Sequence, residues 1–211
     1  MRLYLLKTQE AARLPEDFCR IWFPKRLTRA AAYRRKADAL RCLGAGALLA
    51  GVLRVPEDRL EKEPGGRPFV PGKEERFSLA HGGDFVLLAV GRSAVGADVE
   101  PEMRRLPRSW QRLCAPEEAD WAETEPQTRF FRLWTMKEAL LKADGCGLTV
   151  RPEAVSVLPL LEQGRMTWRG QRYDGWSGCI DGHCAAVCAQ ERFSAPEVRV
   201  LTAEEILDLT E

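Results

Sequence analysis

The 211-residue sequence has no apolar run long enough to cross a bilayer. The longest, CLGAGALLAGVL at 42–53, falls well short of the roughly 20 residues a spanning helix needs. MRLYLLKTQE at the start lacks both a long apolar region and a small-residue cleavage site, so no secretory signal is expected. There is no CxxC pair, and the seven cysteines are an odd number, which fits a reduced, cytoplasmic setting better than a disulfide framework. Histidine is scarce, with two residues. There is almost no net charge (+1), which leaves no global excess of either sign for nucleic acid or membrane binding.

What is present is an ordinary globular composition, 45% hydrophobic and 30% charged. The charge is uneven, however. Residues 20–41 hold eight basic side chains and one acid, Asp38. Such a window is either a solvated helix face or the seat of an anionic ligand. The rest of the chain is acidic, which argues against nucleic acid. Cys179, Cys184 and Cys188, beside His183, invite comparison with zinc sites. Their spacing departs from the usual ligand sets, and Cys184 and Cys188 share one face of a short strand, as small core residues do.

Patterning predicts a first strand in MRLYLLKT and helical structure from about Arg26 to Leu53. A surface loop follows over 61–75, then a three-stranded antiparallel meander over 76–100. A helix should begin near Pro116, with strands in AVSVLPL, MTWRG, YDGWSGCI and GHCAAVCAQ. Thr202 and Glu205 form a capping box for a last short helix. HGGDFVLLAVG and IDGHCAAVCAQ echo each other as a glycine turn followed by an apolar strand. Two similar α+β halves, or two antiparallel sheets in one domain, would account for that.

FFRLWTMKEALLKADG at 130–145 reads as a helix of about four turns ended by Gly145. Lys137 falls on its apolar arc, so it must snorkel out or find a carboxylate, with Asp98 and Glu100 as the expected partners. Glu138 and Lys142 stand one turn apart, as an ordinary helix-stabilising pair would. Asp98 and Glu100, two apart in VGADVE, share a strand face and make a candidate Mg²⁺ site or a solvated strand end. His81 in a glycine turn and Arg67 in GGRPF are either solvent-facing or anion contacts.

Taken together, GGRPF, FSLAHGGDFVLLAV, VGADVE and RLWTMKEALLKADGCGL resemble the motif series of the 4′-phosphopantetheinyl transferases, in particular the surfactin-synthetase (Sfp-type) class. The last motif is unbroken from Trp134 through Lys137, Glu138, Ala139, Lys142, Gly145 and Gly147 to Leu148. The resemblance implies transfer of the phosphopantetheine arm of coenzyme A to a serine of an acyl, peptidyl or aryl carrier protein, with release of 3′,5′-ADP. It implies Mg²⁺ held by Asp98, Glu100 and Glu138. Glu138 would be the base that takes the serine proton, and Lys142 would act on the leaving phosphate. Coenzyme A would be bound by Arg26, Arg29, Arg41, Arg67, His81 and Lys142. Glu118 matches a family acid near the metal. The carrier would dock over about 103–125, on Arg104, Arg105, Arg108 and Arg112.

The implied fold is an α+β pseudo-dimer, with a small antiparallel sheet and packed helices in each half and the active site in the cleft between them. The halves would be residues 1–101 and 102–211, with their boundary near Pro101–Pro107, in a monomer needing neither nucleic acid nor membrane. The sequence departs from the family pattern at Ser78, Ala80 and Gly82, where an asparagine and two serines are usual. The missing hydroxyl at Ala80 should weaken coenzyme A binding several-fold. The alternative is a non-catalytic relative that binds a carrier protein or coenzyme A.

Overall fold

A computed structural model describes residues 1–63 and 65–211. Pro64, inside the predicted 61–75 loop, lies outside the described residues. The elements in order are β1 (Arg2–Lys7), α1 (Thr8–Ala11), α2 (Glu16–Trp22), α3 (Pro24–Ala31) and α4 (Lys36–Leu48), the last running into a π turn over Leu49–Leu53. Next come β2 (Glu61–Lys62), β3 (Pro68–Phe69), β4 (Arg76–Gly82), β5 (Phe85–Gly91) and β6 (Val95–Pro101). The rest comprises α5 (Pro116–Ala122), α6 (Pro126–Asp144), α7 (Leu158–Gln163), β7 (Arg165–Trp168), β8 (Gln171–Ile180), β9 (His183–Ala189), β10 (Glu197–Leu201) and α8 (Ala203–Asp208). None of the described helices is long and apolar enough to cross a membrane.

The class is α+β. One four-stranded sheet has the order β10-β1-β5-β4 and the other β6-β9-β8-β7. Strand alternation sorts the apolar side chains into three layers. Leu3, Leu5, Phe85 and Leu87 of the first sheet meet Val95, Ala97, Val99 and Val187 of the second in a layer between the sheets. The outer face of the first sheet (Tyr4, Leu6, Val86, Leu88) packs on Leu48, Leu49 and Ile206 from α4, the π turn and α8. The outer face of the second (Tyr173, Cys184, Ala186, Cys188) packs on Phe131, Met136, Leu140 and Leu160 from α6 and α7. The two echoed stretches are hairpins, and their second strands, β5 and β9, are central and wholly buried.

Several expectations require correction. Residues 76–100 form a hairpin, β4–β5, after which β6 leaves to pair with β9. The meander fails because both faces of β6 need cover: Val95, Ala97 and Val99 enter the inter-sheet layer, and the opposite face lies under α6. A cut at residue 101 therefore follows the chain but not the sheets. The exchange is mutual, since β10 pairs in parallel with β1, so the first sheet is not purely antiparallel. AVSVLPL forms no strand. Pro152–Ala154 is a 3₁₀ turn, and Leu158–Gln163 is helical with its proline in the tolerated first turn. The 61–75 loop contains the short β2–β3 ribbon. The helical 26–53 region breaks between α3 and α4. Gly145 ends α6 at φ 82°, and Thr202 and Glu205 cap α8 reciprocally, as predicted.

Candidate active site

Gly96 determines how the site is built. A Cβ there would lie 2.0 Å from the Ala139 carbonyl oxygen and 2.4 Å from the Ala143 amide. Only glycine lets β6 run directly beneath α6. This brings the outward face of β6, bearing Asp98 and Glu100, against the helix carrying Glu138 and Lys142. All four belong to the second sheet and its helix, because β6 crossed over. They do not come from opposite halves.

Lys142 Nζ donates to Asp98 Oδ1 at 2.7 Å and to the Ala97 carbonyl at 3.1 Å. Asp98 is 8% exposed, and its pKa is pushed up to about 6. Burial is the main cause. The Lys142 ammonium opposes it, while the negative charges of Glu138 and Glu100 add to it. Glu138 and Glu100 are thus both close enough to act on Asp98. Glu100 accepts a hydrogen bond from the Arg104 guanidinium. Among the described residues, no group of three or more His, Cys, Asp or Glu side chains stands assembled as a metal site. Two of the three acids are held by cations, Asp98 by Lys142 and Glu100 by Arg104.

Lys137 does not reach Asp98 or Glu100. It is 1% exposed and points to the other side of α6, where Nζ lies 2.5 Å from Glu118 Oε2. It also donates to the carbonyls of Pro152 (2.9 Å) and Val155. Glu118, fully buried, accepts from the Ala115 amide at 2.8 Å and the Val157 amide at 2.7 Å. This acid is therefore engaged in capping α5 and neutralising Lys137, and is not free to bind a metal. Sequence reasoning recognised that Lys137 needed a carboxylate but chose the wrong one. The available signal was Glu118 at the third position of a proline-started helix, where a carboxylate commonly turns back onto the backbone.

The predicted anion-binding residues gather on the first sheet's side. Arg26, Arg29, Arg41 and His81 line one cavity of about 330 Å³, with Tyr33 and Asp38. Arg41 is anchored through the Gly83 carbonyl at 2.8 and 3.0 Å and through Asp38 at 2.8 Å. Arg26 Nε lies 3.3 Å from Glu57 Oε1. The His81 pKa is lowered, first by desolvation and then by the charges of Arg41 and Lys142. His81 thus feels the charge of both a crevice arginine and Lys142. Arg67 lines a second cavity of about 230 Å³ with Phe77, Ser78, Leu141, Lys142 and Gly145. Its guanidinium donates to Glu63 (2.6 and 2.9 Å) and to the Ala143 carbonyl at the end of α6 (2.9 Å).

The three departures share one face of β4, opposite His81. Ser78 Oγ accepts from the Ala97 amide at 3.1 Å and so ties β4 to β6. Ala80 is buried in the apolar layer between the sheets. A Cβ at Gly82 would fall 2.0 Å from the Val99 carbonyl oxygen. Here this face of β4 serves the seam with β6.

A family model described as the 4′-phosphopantetheinyl transferase superfamily matches residues 94–188, the stretch that holds β6 and α6. The 4′-phosphopantetheinyl transferase psf-1 of Bacillus pumilus is 30% identical over 194 residues, covering 83% of this chain and 82% of that protein. The chain belongs to the 4′-phosphopantetheinyl transferase superfamily. Within that superfamily it is also 25% identical to the 4′-phosphopantetheinyl transferase Sfp of Bacillus subtilis over 210 residues, 91% of this chain and 92% of that one. A Haemophilus influenzae relative matches at 29% over 108 residues, about half of each chain. In this superfamily member Asp98 and Glu100 lie on β6 and Glu138 and Lys142 on α6, while Arg26, Arg29 and Arg41 lie on α3 and α4.

Proposed function

We propose that the protein transfers the 4′-phosphopantetheine group of coenzyme A to a serine hydroxyl of an apo acyl, peptidyl or aryl carrier protein, releasing 3′,5′-ADP. The observation that carries this reading is the Lys142–Asp98 pair where α6 crosses Gly96, with Glu138 close enough to act on Asp98, together with the crevice of Arg26, Arg29, Arg41 and His81. Acids paired with a lysine, together with an arginine-lined slot, suit a substrate with a pyrophosphate and a further phosphate.

In this reading Arg26, Arg29, Arg41 and His81 hold the phosphates of the nucleotide end, and Arg67, braced by Glu63, borders the adenine. Glu138 takes the proton from the serine hydroxyl as the new oxygen–phosphorus bond forms. Lys142 turns from Asp98 to the leaving phosphate as the pyrophosphate phosphorus–oxygen bond breaks, neutralising the charge that builds there. The donor chemistry of Asp98, Glu100 and Glu138 fits Mg²⁺, a hard cation that takes carboxylate and phosphate oxygens. When bound, Mg²⁺ would stabilise charge on the transferring phosphoryl group. Glu100 must first release Arg104. Arg104, Arg105, Arg108 and Arg112 form a basic approach for an acidic carrier surface. The working unit is a cytoplasmic monomer whose two similar halves wall the substrate cleft.

The test is incubation with coenzyme A, Mg²⁺ and an apo carrier protein, read by mass spectrometry for one added phosphopantetheine. Glu138→Gln should lower the rate at least a hundredfold while leaving the fold intact by circular dichroism. No mass gain from the unaltered protein across acyl, peptidyl and aryl carriers would refute the assignment.

A further inference from the structure

Outside the site, one pair of side chains has no role in the reading above. Cys179 on β8 and Cys184 on β9 are register partners. The hairpin between them turns on Asp181 and Gly182 alone, both at positive φ (47° and 72°), the geometry of a tight two-residue hairpin turn. Ile180 and His183 close that turn, so Cys179 and Cys184 occupy the next, non-hydrogen-bonded pair. In such a pair the Cα atoms are about 4.5 Å apart and the side chains lean together. A disulfide accepts Cα separations of about 4.4–6.8 Å. Glu102 lies against this pair: Cys184 Sγ donates to Glu102 Oε1 at 3.7 Å, and the Cys179 pKa is raised with Glu102 as the main cause. Cys179 is exposed, whereas Cys184 is 2% exposed beneath it.

We propose that Cys179 and Cys184 are a redox-modification site, an attacking and a resolving thiol that close into a cross-strand disulfide under a hydroperoxide oxidant. The exposed Cys179 sulfur attacks one peroxide oxygen. The O–O bond breaks, giving Cys179 sulfenic acid and one water. The Cys184 sulfur then displaces the sulfenic hydroxyl as a second water, and the S–S bond forms. Two electrons pass from the two sulfurs to the peroxide, and the two thiol protons end on the waters. The Cys179 pKa is raised, chiefly by Glu102. The reaction therefore quickens as pH rises, because the thiolate is the nucleophile. Cys184 is also the register partner of Glu100 on β6, so the bond forms one strand away from a candidate metal ligand. The closed loop is short and adds little stability, so thiol chemistry is the proper readout.

The experiment treats the full chain with hydrogen peroxide at pH 7 and pH 8.5, then quantifies free thiols and maps cross-linked peptides. The expected result is loss of two of the seven thiols, one Cys179–Cys184 peptide, faster loss at the higher pH, and full recovery with a dithiol reductant. Cys179→Ser, at an exposed position, should abolish the two-thiol loss without affecting folding, and Cys184→Ala should leave Cys179 as an unresolved sulfenic or sulfinic acid. A disulfide joining any other cysteines would overturn the proposal. So would over-oxidation of Cys179 beside an untouched Cys184 in the unaltered protein. Neither result bears on phosphopantetheine transfer, which is assayed separately.

Discussion

Asp98 carries a burial cost that Lys142 offsets only in part. Its folded-state pKa of about 6 lies above the ordinary 3.8, so the folded protein binds the proton more tightly than the unfolded chain does. Stability from this group is therefore present below pH 4 and is lost as pH rises through about 6. Asp98→Asn, an uncharged isostere, should stabilise the metal-free protein at pH 7 by about 1–3 kcal/mol, and the gain should vanish near pH 4. Urea melts in a chelator at the two pH values would check this. Equal stability at pH 7 would mean that Lys142 already offsets the burial. At this scale the sequence was informative about residue types and less so about partners. Asp98, Glu138 and Lys142 were singled out through the motif resemblance, since spacing alone left Glu138 and Lys142 as an ordinary helix pair and Asp98 as a strand-end acid. Arg104 on Glu100 and Glu118 under Lys137 were not legible, since pairing depends on which loop folds over which acid.

At the scale of elements, the close contact of β6 and α6 is set by one missing side chain. Gly96→Ala would drive a Cβ into backbone atoms of α6 that cannot rotate away. A loss on the order of 3 kcal/mol is expected, together with a larger fall in transferase rate than in bulk secondary structure. Differential scanning calorimetry and the carrier-loading assay would show the two effects side by side, and wild-type melting would contradict the close approach. The elements themselves were mostly visible in the sequence. The 130–145 helix, the 202–205 cap and the β8–β9 hairpin follow from apolar period, capping chemistry and turn residues. The missed elements have a common cause. A short apolar run such as 154–160 satisfies strand and helix patterns alike, and β6 looked like the third strand of a meander because local pattern does not identify a distant partner.

On the scale of the whole molecule, the two sheets lend each other strands. β10 and α8 supply Leu201 and Ile206 to the core of the first sheet, and a Cβ at Gly51 in the π turn would fall 3.0 Å from Ile206 Cδ1. Removing residues 197–211 should uncover that core and the paired edge of β1. The truncated chain is expected to aggregate or melt at least 10 °C lower, by light scattering and thermal melting. An unchanged melting curve would show that β10 is dispensable.

The β1–β10 pairing also bears on synthesis at the ribosome. Leu3 must wait for Val198, nearly two hundred residues later, before that edge is occupied. At typical elongation speeds the nascent chain therefore spends on the order of ten seconds or more with an open apolar edge. Translation pauses or chaperone supply should affect the yield of this protein more than that of a chain whose sheets close in the order they are made.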